Sequence, residues 1–237
     1  MSAEIEIASP SALARGFAVR LAVEVRRAVA AGGRFALAIS GGSAAELFVP
    51  AWNEADVDWS RVELFWVDER AVPADHPGSN FGLALRSGLD RLPLRPEAVH
   101  RLPADADDLE RAAASAERDL RAALGAPPRV DLALVGVGAD GHVASLFPGH
   151  SALAERERLV AAVRDAPKPP PCRLTWTLAA FALVDRLVVA AFGAEKAEAI
   201  AAAQRPERSA LPIARAASLA QRRLLLLDEP AAARLSR

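Results

Sequence analysis

The chain alternates short, largely apolar runs with stretches of helical periodicity, and glycine and proline mark the boundaries. Ser9–Pro10 has the form of a helix start, a serine N-cap followed by proline at the first helical position. Leu13, Phe17, Leu21, Val25 and Val29 then recur every four residues, which predicts one buried helical face ending at Gly32–Gly33. Further helices are predicted over Ala44–Phe48, Asp107–Leu124 and Ala194–Ala203. Six apolar runs predict strands: Phe35–Ile39, Val62–Val67, Val130–Val135, Leu159–Val163, Leu187–Phe192 and Leu224–Leu227. They do not alternate with polar residues, so each predicts a strand covered on both faces. Residues 71–82, rich in proline, glycine and asparagine, predict a loop, as does the proline run 166–171.

Strands separated by helices predict an α/β fold: a doubly wound, mostly parallel sheet with helices on both faces, Rossmann-like in plan. The 237 residues suit a single domain over 1–237, with no internal repeat and no linker that forces a boundary. Ligands of such sheets bind outside the carboxyl ends of the strands. The loops at those ends are Ser40-Gly41-Gly42-Ser43, Asp68-Glu69-Arg70 with the loop after it, residues 136–142 (GVGADGH) and residues 193–196 (GAEK). The polar residues capable of chemistry all fall in that one class of position, which predicts one active site.

Composition narrows the classes of function. With 52% hydrophobic and 25% charged residues the chain is not generally disordered. The 29 basic and 30 acidic residues give a net charge of −1, which argues against a bulk nucleic-acid partner. No run approaches the roughly 18–20 apolar residues of a membrane span, and the N-terminal stretch lacks the basic-then-apolar form of a secretory signal. A cytoplasmic enzyme is expected. Cys172 is the only cysteine, so an intramolecular disulfide and a multi-cysteine metal site are excluded. There are two lysines, Lys168 and Lys196, against 27 arginines, so each retained lysine invites inspection.

The loops suggest specific chemistry. Ser40–Ser43 leads from a strand into a helix through two glycines, either as a cradle for an anion or as a tight turn with Ser43 as N-cap. It is no P-loop, because GxxxxGK[ST] is absent. Residues 136–141 match GxGxxG, but they lie past mid-chain and run directly into His142, which disfavours a dinucleotide site. His142 is the best acid–base candidate, since neutral imidazole is available at neutral pH. Asp140 either orients that imidazole or caps a helix. Ser145 reads as a helical packing residue. HxH and HxxxH spacings are absent, and His142 and His150 are separated by Pro148, so no histidine metal site is expected. Arg70, Arg173 and Lys196 supply positive charge. Lys196 opens a helix, where a cation is unfavourable unless an anion sits beside it. Asp68 and Glu69 are adjacent in sequence and can fall on opposite sides of the chain, so a paired-carboxylate mechanism is not supported.

Five segments together resemble 6-phosphogluconolactonases, within the wider family that includes glucosamine-6-phosphate deaminases: residues 37–48, 67–83, 131–149, 167–178 and 193–197. The resemblance runs from about residue 35 to 200 in the family's order and spacing. It implies the deaminase/lactonase type of fold and hydrolysis of 6-phospho-D-glucono-1,5-lactone to 6-phospho-D-gluconate, the second step of the oxidative pentose phosphate pathway. His142 matches the family's general base, with Asp140 in the same motif and Arg70 in the Asp-Glu-Arg motif completing the expected catalytic set. Ser40, Gly41, Gly42, Ser43, Asp68, Arg173 and Lys196 are the expected substrate and phosphate contacts. His76 and Asn80 match a segment that shapes the loop as readily as it touches substrate. The family's threonine or proline after the Ser40–Ser43 motif is here Ala44–Ala45. A lactone is an activated ester, so one base and an anion-stabilising pocket suffice and no cofactor is expected. The expected partner is a phosphorylated sugar lactone, with no nucleic acid and no membrane, on a monomer or small homo-oligomer. The rivals are a deaminase–isomerase and a non-catalytic sugar-phosphate sensor. The deaminase pattern has a glutamate where this chain has Phe147 and a tyrosine where it has Arg70. The sensor needs a DNA-binding module for which there is no room before residue 35.

Overall fold

The computed structural model describes residues 3–235; residues 1–2 and 236–237 of the expected domain lie outside the described residues. Its strands are β1 (Glu4–Ile7), β2 (Phe35–Ile39), β3 (Val62–Trp66), β4 (Asp68–Arg70), β5 (Val99–His100), β6 (Val130–Val135), β7 (Val160–Val163), β8 (Arg173–Trp176), β9 (Val184–Ala191) and β10 (Arg222–Leu227). Its helices are α1 (Pro10–Ala30), α2 (Ser43–Trp52), α3 (Asn80–Arg86), α4 (Leu109–Leu124), α5 (Leu178–Phe181), α6 (Ala197–Gln204), α7 (Pro212–Leu219) and α8 (Glu229–Ala232).

Seven strands form a parallel sheet in the order β1-β10-β9-β6-β2-β3-β5. Every residue of β2 and β3 is buried, so both faces of the sheet centre are covered, as the unbroken apolar runs require. Helix α1 begins where expected, with the Ser9 hydroxyl accepting from the Ala12 N–H at 3.4 Å. It buries Leu13, Phe17, Leu21 and Val25. At about 1.5–3 kcal/mol for each large side chain, this apolar face rather than helix propensity anchors α1. The chain builds outward from β2 through β3 to β5, then returns to the other side of β2 with β6. Strand order therefore reverses between β2 and β6, which is where a doubly wound sheet opens a crevice.

A second sheet, antiparallel and in the order β4-β8-β7, was not expected. The Leu159–Val163 run, read as a member of the parallel sheet, is β7 of this smaller sheet. Asp68-Glu69-Arg70, read as a loop, is its strand β4. The chain changes sheets at Val67. Its N–H donates to the Ile39 carbonyl in the parallel sheet at 2.9 Å, and its carbonyl accepts from the Trp176 N–H in the antiparallel one at 2.7 Å. Periodicity cannot tell the two sheets apart, because both bury apolar residues; only the long-range pairing decides.

Other departures are local. The loop expected over 71–82 ends early, because Ser79 caps α3, its hydroxyl accepting from the Gly82 N–H at 3.0 Å. β9 starts at Val184, ahead of the expected Leu187, since the charges of Asp185 and Arg186 are neutralised by partners at the base of the sheet. Residues 194–196 form a 3-10 turn before α6. The segment after His142 is a series of turns, so Ser145 is not helical. Strands β1 and β5 and helix α7 were not anticipated. Among the described residues, no helix is long and apolar enough to cross a membrane.

Candidate active site

The loops after β2, β3, β6 and β9 meet over the β2/β6 crevice, and the strand β8 with its preceding proline loop closes one side. They enclose a cleft of ≈ 210 Å³. Ser40, Gly41, Gly42, Ser43, Asp68, Arg70, His142, Arg173 and Lys196 line it, together with Asn80 and Lys168. Val137 and Ala144 are its only apolar side chains larger than glycine among the described residues. Four cations face one carboxylate on the wall, which suits a small, hydroxylated and negatively charged ligand.

The two central loops are tied across the crevice. The Ser40 N–H donates to the Leu134 carbonyl at 3.0 Å, and the Gly136 N–H donates to the Ser40 hydroxyl at 3.0 Å. Gly41 is required by contact, since a Cβ there would lie 1.9 Å from Asn80 Oδ1. Gly42 is the N-cap of α2 and Ser43 the first helical residue, whose hydroxyl makes no cap bond. The first N–H groups of α2 are thus open to an anion, the arrangement that the two-glycine turn allowed.

His142 and Asp140 form the chemical centre. Asp140 Oδ1 lies 2.5 Å from His142 Nδ1 and accepts from the His142 backbone N–H at 3.3 Å. Although burial works against its charge, the contact with His142 and then Lys168 holds the Asp140 carboxyl down to about 2. An ionised carboxylate only accepts, so Nδ1 carries the proton and Nε2 the lone pair. Burial lowers the His142 pKa below its usual 6.5, against the opposing pull of Asp140. The ring is therefore neutral at pH 7. Gly138 makes room for the pair, because a Cβ there would meet Nδ1 at 1.9 Å and Asp140 Oδ1 at 2.3 Å. Of the two roles open for Asp140, orienting the imidazole is the one the fold uses, because no helix follows to be capped. The same lack of a helix leaves the GxGxxG match without the N-terminus a pyrophosphate needs.

Strand alternation on β4 separates its carboxylates, as expected. Asp68 and Arg70 face the cleft. Glu69 points away and caps α3, accepting from the backbone N–H groups of Asn80 at 2.7 Å and Phe81 at 2.8 Å and from the Ser79 hydroxyl at 3.0 Å. Burial and the neighbouring Asp68 raise its pKa despite these donors. Asp68 is locked in turn: Asn80 Nδ2 donates to Oδ1 at 3.1 Å and the Ser145 hydroxyl to Oδ2 at 2.7 Å. Arg70 donates through Nη1 to the Gly78 carbonyl at 2.7 Å, while its buried Nε–H has no protein partner.

Arg173 was expected to hold substrate, yet most of its fork is engaged by protein. It donates to the carbonyls of Pro170 at 2.9 Å, Lys168 at 2.8 Å and Pro169 at 3.3 Å, and to the Ser145 hydroxyl at 3.3 Å. It pins the proline loop to the cleft wall. Lys196, in contrast, has no hydrogen-bond or ion-pair partner among the described residues, though it lines the cleft just ahead of α6. Phe147 is buried with its ring stacked on His142, centroids 4.7 Å apart, and the Arg173 guanidinium lies over the same ring. His76 shapes its loop, accepting from the Gly78 N–H at 2.9 Å, and is not on the wall. His150 caps the turn after Gly149, accepting from the Ala152 N–H at 3.1 Å.

Sequence reasoning missed Ser145, Glu69 and Thr175. Ser145 links Asp68 to Arg173, and its own N–H donates to the Thr175 hydroxyl at 3.1 Å. Ala144 before it adopts φ +52°, a left-handed conformation costing an alanine about 1 kcal/mol. Nothing local in the sequence signals these contacts, because their partners lie on other elements, ten or more residues away.

Comparison with known proteins agrees with this geometry. Residues 8–225 match the model of the family described as glucosamine-6-phosphate isomerases/6-phosphogluconolactonase. A 6-phosphogluconolactonase of Mycobacterium leprae is 42% identical, the match covering 99% of each chain. The structure of 6-phosphogluconolactonase from Trypanosoma cruzi superposes with a TM-score of 0.87 at 23% identity, covering 100% of this chain and 99% of that one. A monomeric glucosamine-6-phosphate deaminase superposes with a TM-score of 0.80 at 19% identity, covering 99% and 100%. The fold is thus common to both chemistries.

Proposed function

This chain belongs to the glucosamine-6-phosphate isomerase/6-phosphogluconolactonase family, and we propose that in it His142 activates the water that opens the lactone ring. The activity is hydrolysis of 6-phospho-D-glucono-1,5-lactone to 6-phospho-D-gluconate, a step of the oxidative pentose phosphate pathway, in line with near full-length lactonase relatives. His142 Nε2 takes a proton from water as its oxygen attacks the C1 carbonyl. The carbonyl electrons move to an oxyanion stabilised by the Arg70 guanidinium on the cleft wall. Collapse of that intermediate breaks the bond to the ring oxygen, which takes the proton back from the imidazolium and leaves as a hydroxyl. Asp140 holds the tautomer and stabilises the transient imidazolium, contributing with the base about 10²–10⁴-fold. Lys196 and the open N–H groups of α2 hold the phosphate, which anchors the ring away from the reacting carbon. Asp68 and Arg173 act as the frame of the site rather than as the main phosphate contacts. The chemistry needs no cofactor.

The observation that carries this reading is the Asp140–His142 pair, 2.5 Å apart, on the wall of a cleft dominated by cations. Phe147 favours hydrolysis over deamination and isomerisation, because an apolar ring occupies the place beside the imidazole where a proton-shuttling carboxylate would be needed. The test is to generate the lactone in situ and follow its loss against the spontaneous background, with chelator present. Wild type should accelerate the loss, and His142→Ala should lower kcat by about 10²–10⁴-fold. An H142A variant with near-normal turnover would remove His142 from the base role.

A further inference from the structure

The two lysines of this arginine-rich chain both line the cleft, and Lys168 reaches the base itself. Its Nζ lies 3.3 Å from Asp140 Oδ2 and 3.3 Å from His142 Nδ1. We propose that Lys168 is a positioning residue of the base, its ammonium holding the outer oxygen of Asp140 so that His142 meets water as uncharged imidazole. This inference rests on the reading of His142 as the base.

The division of Asp140's oxygens supports it. Oδ1 serves the His142 ring and backbone N–H, and Oδ2 serves Lys168. Nδ1 already donates to Asp140, so it accepts nothing from the ammonium, and two N–H groups face each other. That contact is tolerable beside a neutral ring and repulsive beside an imidazolium. An unshielded Asp140 would favour the imidazolium in the resting enzyme and leave no lone pair for water. Lys168 offsets this, and it also hastens loss of the proton once the ring has taken it. The charged groups acting on the ring are Asp140 from its own loop, Lys168 from the proline loop and Asp68 from β4. Phe147 stacks on it without charge, while Arg70, Arg173 and Lys196 line the same cleft. With two carboxylates pulling upward, burial and Lys168 still leave His142 below its ordinary value.

The Lys168 side chain is half exposed, and the bond from Arg173 is to its backbone carbonyl, so substitution spares the loop anchor. The experiment is a proton NMR titration of the imidazole signals in substrate-free wild type, Lys168→Gln and Lys168→Arg, with His142→Gln to assign the signal. In K168Q the His142 midpoint should rise by about 0.5–1 unit, a like-charge effect discounted for exposure. It should return toward wild type in K168R. The acid limb of kcat/KM for lactone should move by the same amount, so that on that limb the K168Q rate falls about 3–10-fold. A His142 midpoint unchanged in K168Q, or not restored in K168R, overturns the proposal. A midpoint that moves while the acid limb does not upholds Lys168 and instead removes His142 from the base role. The titration needs no substrate, so it stands even if the lactone reading fails.

Discussion

The two sheets contribute opposite things to the site. The central strands of the parallel sheet are apolar toward their carboxyl ends, with charges such as Glu63, Asp131, Asp185 and Arg186 kept to the opposite end, and what the sheet gives the cleft is backbone: the turn at Ser40–Ser43, the crevice between β2 and β6, and open N–H groups. The antiparallel sheet is a fraction of that size, yet Asp68, Glu69, Arg173 and Thr175 are all buried in it, and Ser79, Asn80 and Ser145 pack against them. A buried charge is stable only if its hydrogen bonds are satisfied, so this small sheet is held by a polar network in which each member fixes the next. The lesson is a division of labour: hydrophobic burial places the loops, and a buried polar network aims the side chains.

That contrast can be broken by substitutions on each side. The largest expected effect on folding comes from the apolar side. Phe48 of α2 is fully buried, edge-on to Phe17 with centroids 5.4 Å apart. Phe48→Ala should cost about 3–5 kcal/mol, seen as a fall in Tm of roughly 10 °C, with kcat of the folded protein little changed. On the polar side, Arg173→Lys keeps the charge but loses the planar fork that holds three carbonyls. It should lower kcat/KM about 100-fold while costing only about 1–3 kcal/mol of stability in urea unfolding. If R173K instead proved as destabilising as F48A with catalysis intact, the division would be wrong. Lys196→Ala sharpens it further. This cation has no partner to lose among the described residues, so its removal should raise KM about 10-fold with kcat near wild type and Tm unmoved. The smallest effect is that of pH. Neutral imidazole is the active form, and burial sets its pKa below 6.5. Activity should therefore be flat from pH 8 to 7 and fall only as pH drops through the His142 value, with Asp140 near 2 ionised throughout. A kcat/KM profile already falling above pH 7 would contradict a buried, neutral His142.

Much of the plan is legible in the chain. The four-residue spacing of Leu13 to Val25 specifies the buried face of α1, and five of the six apolar runs lie in the parallel sheet. The glycine-bounded loops mark the cleft, and His142, Arg70 and Lys196 stand out by residue type and place. The misses share one cause. β4 and β8 carry charged residues inside a small sheet, and Arg70 and Arg173 read as loop residues because the strands that pair them lie far apart in the chain. Lys168 could be noticed as a rare lysine, but its contact with Asp140 depends on Arg173 folding the proline loop back over the cleft.

The sequence by itself determined five strands of the parallel sheet and the helices α1, α2, α4 and α6 among them, the end of the sheet at which chemistry takes place, and the residue types available there. These depend on local periodicity, turn residues and the rule that parallel strands present their carboxyl ends to ligands. Only the tertiary structure decided that Val67 passes the chain from one sheet to the other, that Arg173 braces a loop while Lys196 stands unpaired, and that Asp140 serves His142 rather than a helix. Those outcomes turn on how the loops close over the cleft and which groups then meet there, and that arrangement exists only once the chain has closed on itself.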